Sequence, residues 1–291
     1  MGTPSVSTNP TELFDFAWIP GRGPEASPTK GYESRLKELA DRAQPEHWSF
    51  DAAQPYGILG NYLRYTFKRL SFERGKILEV GDASGARVCV FNTGLFTPNY
   101  ETIYAFFEAH RDLSRQPWVF KDWIVESDRR LAFFDAKPGP ARYFDKADEL
   151  IYDPDRKLIP NLDHILDENV DRYPSDLRDN PHRRRMILQG AVAEAGKRAQ
   201  MNYKVAVPQF YFGHESTEAG RIQLLLPLCF NHPARADLAL VLEREWDSYR
   251  AFTVLPLDRA YSNARLIAKP ENEWLKEPSS ASWLQDRNAA G

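Results

Sequence analysis

The chain has 291 residues, with 38 Lys and Arg against 41 Asp and Glu, for a formal net charge of −3. At 42% hydrophobic and 13% aromatic it carries ample material for a buried core, which excludes disorder throughout. The acid–base balance excludes a generally basic nucleic-acid binder and leaves room only for a local basic patch.

Two cysteines, Cys89 and Cys229, lie far apart in apolar runs, the pattern of buried free thiols in a reducing compartment. No CxxC or Cys/His ladder exists, so no structural zinc is expected. The opening "MGTPSVSTNPTEL" lacks a basic start and an apolar stretch, and Ser7 falls one place beyond the myristoylation pattern. No apolar run approaches the ~18 residues of a membrane span. A soluble, cytoplasmic chain with no membrane partner is expected, its oligomeric state open.

In chain order, residues 1–31 read as a flexible arm with an aromatic anchor, Phe14, Phe16 and Trp18. "ESRLKELADRAQ" and "ILGNYLRYTFKRL" have helical spacing, the second through Leu59, Leu63, Phe67 and Leu70. "KILEV" and "ARVCVFN" flank "GDASG" and predict a hairpin with φ > 0 positions in its turn. "NYETIYAFFEAH" returns to helical spacing through Ile103, Phe106 and Phe107; "WVFKDWIV" and "RLAFFD" read as paired strands. "KADELIYD" reads as a helical turn, and "RRRMILQGAVAEAGKRAQMNY" as a long helix with a stripe of Ala191, Ala195 and Ala199. "KVAVPQFYFG", "RIQLLLPLCF", "ADLALVLERE" and "YRAFTVLPL" predict a four-strand antiparallel meander, covered by a closing helix "LDRAYSNARLIA". The whole predicts a single α+β domain over 32–277, an antiparallel sheet with helices packed on it, and a flexible tail over 278–291.

Several polar residues sit where a core would want carbon. In "NLDHILDENVDR", Asp163, His164, Asp167, Asn169 and Asp171 are packed into twelve positions. As a helix it keeps Leu162, Ile165, Leu166 and Asn169 inward and lines up Asp163, Asp167 and Asp171 outward. Asn92 and Thr93 before Gly94 read either as a strand end with an Asx turn or as donors to a ligand. Gln209, Tyr211 and Gln223 alternate onto one sheet face. Asp258, Tyr261, Asn263 and Arg265 share a helix, and Asp237 begins a strand. Lys197, Arg198 and Lys204 gather at a helix C-terminus, which the macrodipole favours even without a ligand. GxxxxGK[ST], GxGxxG, HExxH and GxSxG are all missing, so ATP or dinucleotide use through the common loops is not expected; the first two readings below take no cofactor and no metal, the third a divalent metal.

Taken together, "ILGNYLRYTFKRL", "FNTGL", "LIYDP", "NYKVAVPQFY", "IQLLLPL", "ADLALV" and "AYSNARLI" resemble a domain-of-unknown-function family of bacteria and some fungi. That family is sometimes fused to cold-shock or LOTUS-type RNA-binding modules, and the resemblance covers roughly residues 12–275. It implies work near RNA, although here "LFDFAWIP" stands where such a module would be. A looser likeness, carried by no motif, is to fungal arginine-containing cyclodipeptide synthases, which draw on aminoacyl-tRNA.

Three functional expectations follow. The first is an aminoacyl-tRNA-dependent cyclodipeptide synthase needing no ATP, with tRNA and an amino acid as partners. It assigns proton handling to Asp163 and His164, and donors to Asn92, Thr93 and Gln209. Substrate contacts fall to Tyr211, Gln223, Asp237, Asp258, Tyr261 and Asn263, with the arginine guanidinium on Asp237 or Asp258. Phosphate or carboxylate contacts fall to Lys197, Arg198, Lys204 and Arg265. The second is a non-catalytic RNA-binding or adaptor protein, with Tyr203, Tyr211 and Phe212 stacking bases and Arg183 to Arg185 on the backbone. The third is a metal-dependent phosphodiesterase on Asp163, His164 and Asp167.

Overall fold

The computed structural model describes residues 10–20, 28–81, 87–112, 114–213 and 220–276. The predicted "GDASG" turn, the tail from 278 and much of the 1–31 arm lie outside them. Where no boundary is visible in the sequence between 32 and 277, the chain packs as two compact units that divide between Arg142 and Tyr143.

In the first unit, α1 (Leu13–Phe16) leads into β1 (Ala17–Trp18), followed by α2 (Pro28–Arg42) and α3 (Gly57–Ser71). β2 (Ile77–Gly81), β3 (Arg87–Phe96), β4 (Thr102–Ala109) and β5 (Trp118–Val125) complete a sheet of order β1-β5-β4-β3-β2 among the described residues. β2 to β5 pair antiparallel and β1 joins β5 in parallel. One face carries Phe91, Phe107 and Phe120, ring against ring at 5.5 and 5.6 Å, and meets Phe67 of α3 at 5.5 Å. Phe16 is fully buried 4.8 Å from Phe67, so the predicted aromatic anchor rests on this residue, while Phe14 and Trp18 stay partly exposed. The other face packs Val90, Tyr104, Phe106 and Ile124 under Leu131 and Phe134.

Two local expectations fail here. Helical spacing over "NYETIYAFFEAH" gives way to β4, a central strand buried on both faces, for which a continuous apolar run is equally suitable. "RLAFFD" forms a 3₁₀ turn, Arg129–Phe133, because the Asp128 carboxylate accepts the Arg130 N–H and caps it.

In the second unit, β6 (Lys157–Pro160) precedes α4 (Leu162–Glu168), α5 (Ser175–Arg178) and α6 (Pro181–Met201). Asn180 caps α6 by accepting the Arg183 N–H at 3.0 Å, with Pro181 at the first helical position. Then β7 (Val207–Tyr211), β8 (Arg221–Leu228), β9 (Leu238–Arg244) and β10 (Ser248–Leu255) run antiparallel to their neighbours, and α7 (Leu257–Arg265) closes the chain of elements. The predicted meander and covering helix are thus present. The sheet is nonetheless mixed, because β6 adds to β10 in parallel, giving the order β6-β10-β9-β8-β7. Leu224, Leu226, Leu240 and Leu242 line one face, where α4 and α6 pack through Ile165, Leu188 and the alanine stripe Ala191, Ala195 and Ala199. α7 packs on β7 and β9. The architecture is α+β. Among the described residues no helix is long and apolar enough to cross a membrane.

Candidate functional site

Period-two alternation turns Gln209 and Gln223 to the same side of their strands, and the antiparallel register sets them directly opposite. Being adjacent to Leu224, Gln223 faces away from the leucine core. Both amides are buried, at 1% and 7% exposure, where an aliphatic side chain could be placed at less desolvation cost. What holds them is mutual pairing. The Gln209 amide donates to Gln223 Oε1 at 3.0 Å, and Asn263 of α7 donates to Gln209 Oε1 at 3.0 Å.

The three amides form a relay with polar ends. Gln223 Nε2 remains as a donor and Asn263 Oδ1 as an acceptor, neither with a hydrogen-bond partner among the described residues. α7 reaches this place because Pro256 opens it and Asp258 lies in its first turn, accepting the Arg259 N–H at 2.8 Å. Its inner side buries Ala260, Tyr261, Ala264 and Arg265.

Along the same sheet face, Arg221 stands opposite Tyr211 with its guanidinium 5.8 Å from that ring. Arg221 Nε pairs with Glu243 Oε1 at 2.9 Å. Glu243 sits one step beyond the Leu224–Leu242 pair, beside Gln223. Arg221 and Glu243 do not stand out in the sequence, since charges near strand ends are ordinary; only continued alternation from Gln223 and Val241 points to them.

The structure therefore brings together Gln209, Gln223 and Asn263, with Tyr211 on the same sheet face, while Tyr261 and Arg265 are buried on the inner side of α7. The remaining candidates are elsewhere. Asp163 and His164 ride on α4, whose Ile165 and Leu166 enter the leucine core on the opposite face of the sheet. His164 Nδ1 contacts Glu168 Oε1 at 2.9 Å on the surface, and Asp163, Asp167 and Asp171 point to solvent. Asn169, the inward polar residue, is buried and accepts the Thr253 hydroxyl at 2.9 Å. Arg172 then donates to Thr253 Oγ1 at 2.9 Å and to the Val254 carbonyl. The dense acidic stretch is thus a charged helix latched to β10.

Asn92 and Thr93 belong to the first unit and serve its backbone. Asn92 Oδ1 accepts the Gly94 N–H at 2.8 Å, its amide donates to the Pro138 carbonyl at 3.1 Å, and Thr93 donates to the Ile103 carbonyl at 2.6 Å. Asp237 accepts the Phe230 N–H at 2.6 Å and holds the β8–β9 turn. Arg198 donates to the Pro233 carbonyl at 3.1 Å and to Cys229 Sγ at 3.6 Å. Lys197 and Lys204 are exposed. Both cysteines are free thiols whose pKa values are raised, chiefly by burial. Among the described residues no group of three or more His, Cys, Asp or Glu side chains is arranged to hold a metal ion.

Fold and site together define an α+β protein with a buried amide cluster on one face of its second sheet. Residues 39–274 match the family described as a domain of unknown function, DUF3825, and the chain belongs to that family. No curated protein and no solved structure matches it.

Proposed function

We propose that this protein is an RNA-linked enzyme of the aminoacyl-transfer class that takes aminoacyl-tRNA as its activated substrate and releases an arginine-containing cyclodipeptide. The observation that carries this reading is the Gln209–Gln223–Asn263 relay. It holds a side-chain amide donor rigidly on the sheet, and such preorganised donors stabilise the oxyanion that develops when an ester carbonyl is attacked. The amino group of one aminoacyl ester attacks the carbonyl of the other: a C–N bond forms, that ester C–O bond breaks, and the ribose oxygen leaves and takes up the proton given up by the amine. The free amino group of the resulting dipeptidyl ester then attacks its own remaining ester carbonyl; a second C–N bond closes the ring, the second ester C–O bond breaks, and the second ribose oxygen leaves with the proton.

In this reading Gln223 Nε2 is the oxyanion donor, held in place by Gln209 and Asn263. Glu243, already matched to the Arg221 guanidinium at 2.9 Å, is the carboxylate for an arginine side chain. It supersedes Asp237, whose carboxylate holds the β8–β9 turn through the Phe230 and Asn231 N–H groups, whereas Glu243 would exchange one arginine side chain for another. His164 and Asp163 take no part.

The test is mass spectrometry of the compounds that accumulate when the chain is expressed in a heterologous host. A new arginine-containing cyclic dipeptide is expected from wild type and His164→Ala. It falls at least a hundredfold in a Gln209→Leu/Gln223→Leu/Asn263→Leu variant, which removes the whole relay and leaves none of its amides without a partner. Undiminished product from that variant, or none from wild type supplied with charged tRNA, removes the reading.

A second reading, a non-catalytic RNA binder, is favoured by a different observation. α6 carries five cations, Arg183, Arg184, Arg185, Lys197 and Arg198, against the single carboxylate Glu194. Arginines near a helix N-terminus oppose the macrodipole. Arg184 is buried and donates to the Leu177 and Arg178 carbonyls, whereas Arg183 and Arg185 are exposed. Tyr203, half-exposed just past the helix, supplies a stacking surface.

A further inference from the structure

β6 is an edge strand, and its residues face α6 across an open groove of about 580 Å³. This is on the leucine-core side of the second sheet, away from the amide relay. Leu158 and Leu162 with Val192 make apolar walls. Gly196 lets Leu158 approach the helix closely at the floor of the groove: a Cβ there would stand 3.3 Å from Leu158 Cδ2. Lys157 and Lys197 line it from the two sides, one from each wall, together with Gln189 and Gln200. No carboxylate lines the groove, and neither lysine has an acidic partner among the described residues.

This combination has a definite chemical complement. Two unneutralised ammonium groups attract a phosphate. Amide side chains match the paired donor and acceptor on the edge of a nucleobase, and apolar walls accept its flat faces. The volume lies within the range of ordinary small-molecule sites. We propose that the groove between β6 and α6 is a binding site for a nucleoside phosphate, with Lys157 and Lys197 on the phosphate and Gln189, about 12 Å along the helix from Lys197, on the base. The nucleotide has two possible sources, free in solution or at the end of an RNA. The second source rests on the RNA-linked reading above.

The test is calorimetric titration of the full chain with AMP and with a short single-stranded RNA ending in adenosine, at low salt. It compares wild type with Lys157→Glu/Lys197→Glu and with Gly196→Leu, which fills the groove without touching its charge. Wild type is expected to bind at least one probe saturably, and both variants to bind it at least tenfold more weakly with melting temperatures within a few degrees. AMP binding identifies the free nucleotide as sufficient; RNA binding without AMP binding identifies the RNA end. Saturation by neither probe overturns the proposal, as does wild-type affinity in both variants. If Gly196→Leu fails to fold, the surface lysine pair decides alone. Variant-sensitive AMP binding with no cyclodipeptide from any form sustains the groove and removes the enzyme reading. Product formation alongside undiminished binding in the variants does the reverse.

Discussion

Asp128 shows how one carboxylate can fix a turn that hydrophobicity would have made a strand. Its oxygens accept Arg130 Nε at 3.0 Å and Nη2 at 2.7 Å, and the Arg130 backbone N–H at 2.9 Å. The bonds from the Arg130 side chain hold the Asp128 carboxyl below the usual range, against a smaller opposing effect of desolvation. A carboxylate depressed in the folded state stabilises above its unfolded pKa, near 3.9, and loses that contribution as pH falls through the folded value. Asp128→Asn keeps the cap and removes the charge. Its deficit in urea midpoint relative to wild type should be full at pH 7 and shrink steadily below about pH 4. A deficit unchanged at pH 2 would show that the charge on Asp128 is not what stabilises the turn.

At the scale of elements, β3 bends where its register on β4 slips between Asn92 and Phe96, and Gly94 takes φ +74° there. A Cβ at this position would lie 2.5 Å from the Tyr62 hydroxyl, which itself donates to the Thr93 carbonyl at 3.0 Å. Gly94→Ala should therefore cost more than the ~1–2 kcal/mol of a left-handed residue with a side chain. Because the clash is with one oxygen, Gly94→Ala and Tyr62→Phe should be non-additive, the double variant falling short of the sum by about 1 kcal/mol. Additive losses in denaturant unfolding would place the strain in the backbone alone.

The same bulge explains what could be read from the chain and what could not. Asn-Thr-Gly after a β-run announces a local hydrogen-bonded turn whether or not a ligand is near, so its chemistry was ambiguous until its partners were known. The shared face of Gln209 and Gln223 is legible because period-two alternation is rigid; their pairing with each other and with Asn263 is not, because it depends on the register of β7 on β8 and on where α7 docks. β4 was not legible, since Ile103, Phe106 and Phe107 satisfy helical spacing while a strand buried on both faces needs no alternation at all. Asp163 and His164 are neighbours in sequence, but their helix could bury only its Ile165 and Leu166 edge, which sent both to the surface. β6, four residues containing Pro160, is too short to announce itself.

The molecule as a whole has a net charge of −3, while α6 alone concentrates cations. Any affinity for RNA must then be local and electrostatic. With three to five phosphates engaged, the slope of log affinity against log salt should be about −2 to −4 on single-stranded RNA. Replacing Arg183, Arg185 and Lys197 by Gln should flatten that slope by roughly 2, as followed by fluorescence anisotropy. A slope near zero in wild type would exclude RNA as a partner of either reading. The family match runs across both compact units, so full-length protein is the material for this measurement.

Both sheets are finished by a strand that arrives early and waits. Ala17 meets Trp118, and Lys157 meets Ser248, spans of roughly a hundred and roughly ninety residues that must be looped before either parallel pairing forms. During synthesis β1 and β6 therefore leave the ribosome well ahead of the strands that receive them. The last pairings to close should be those two margins, after the local hairpins between them.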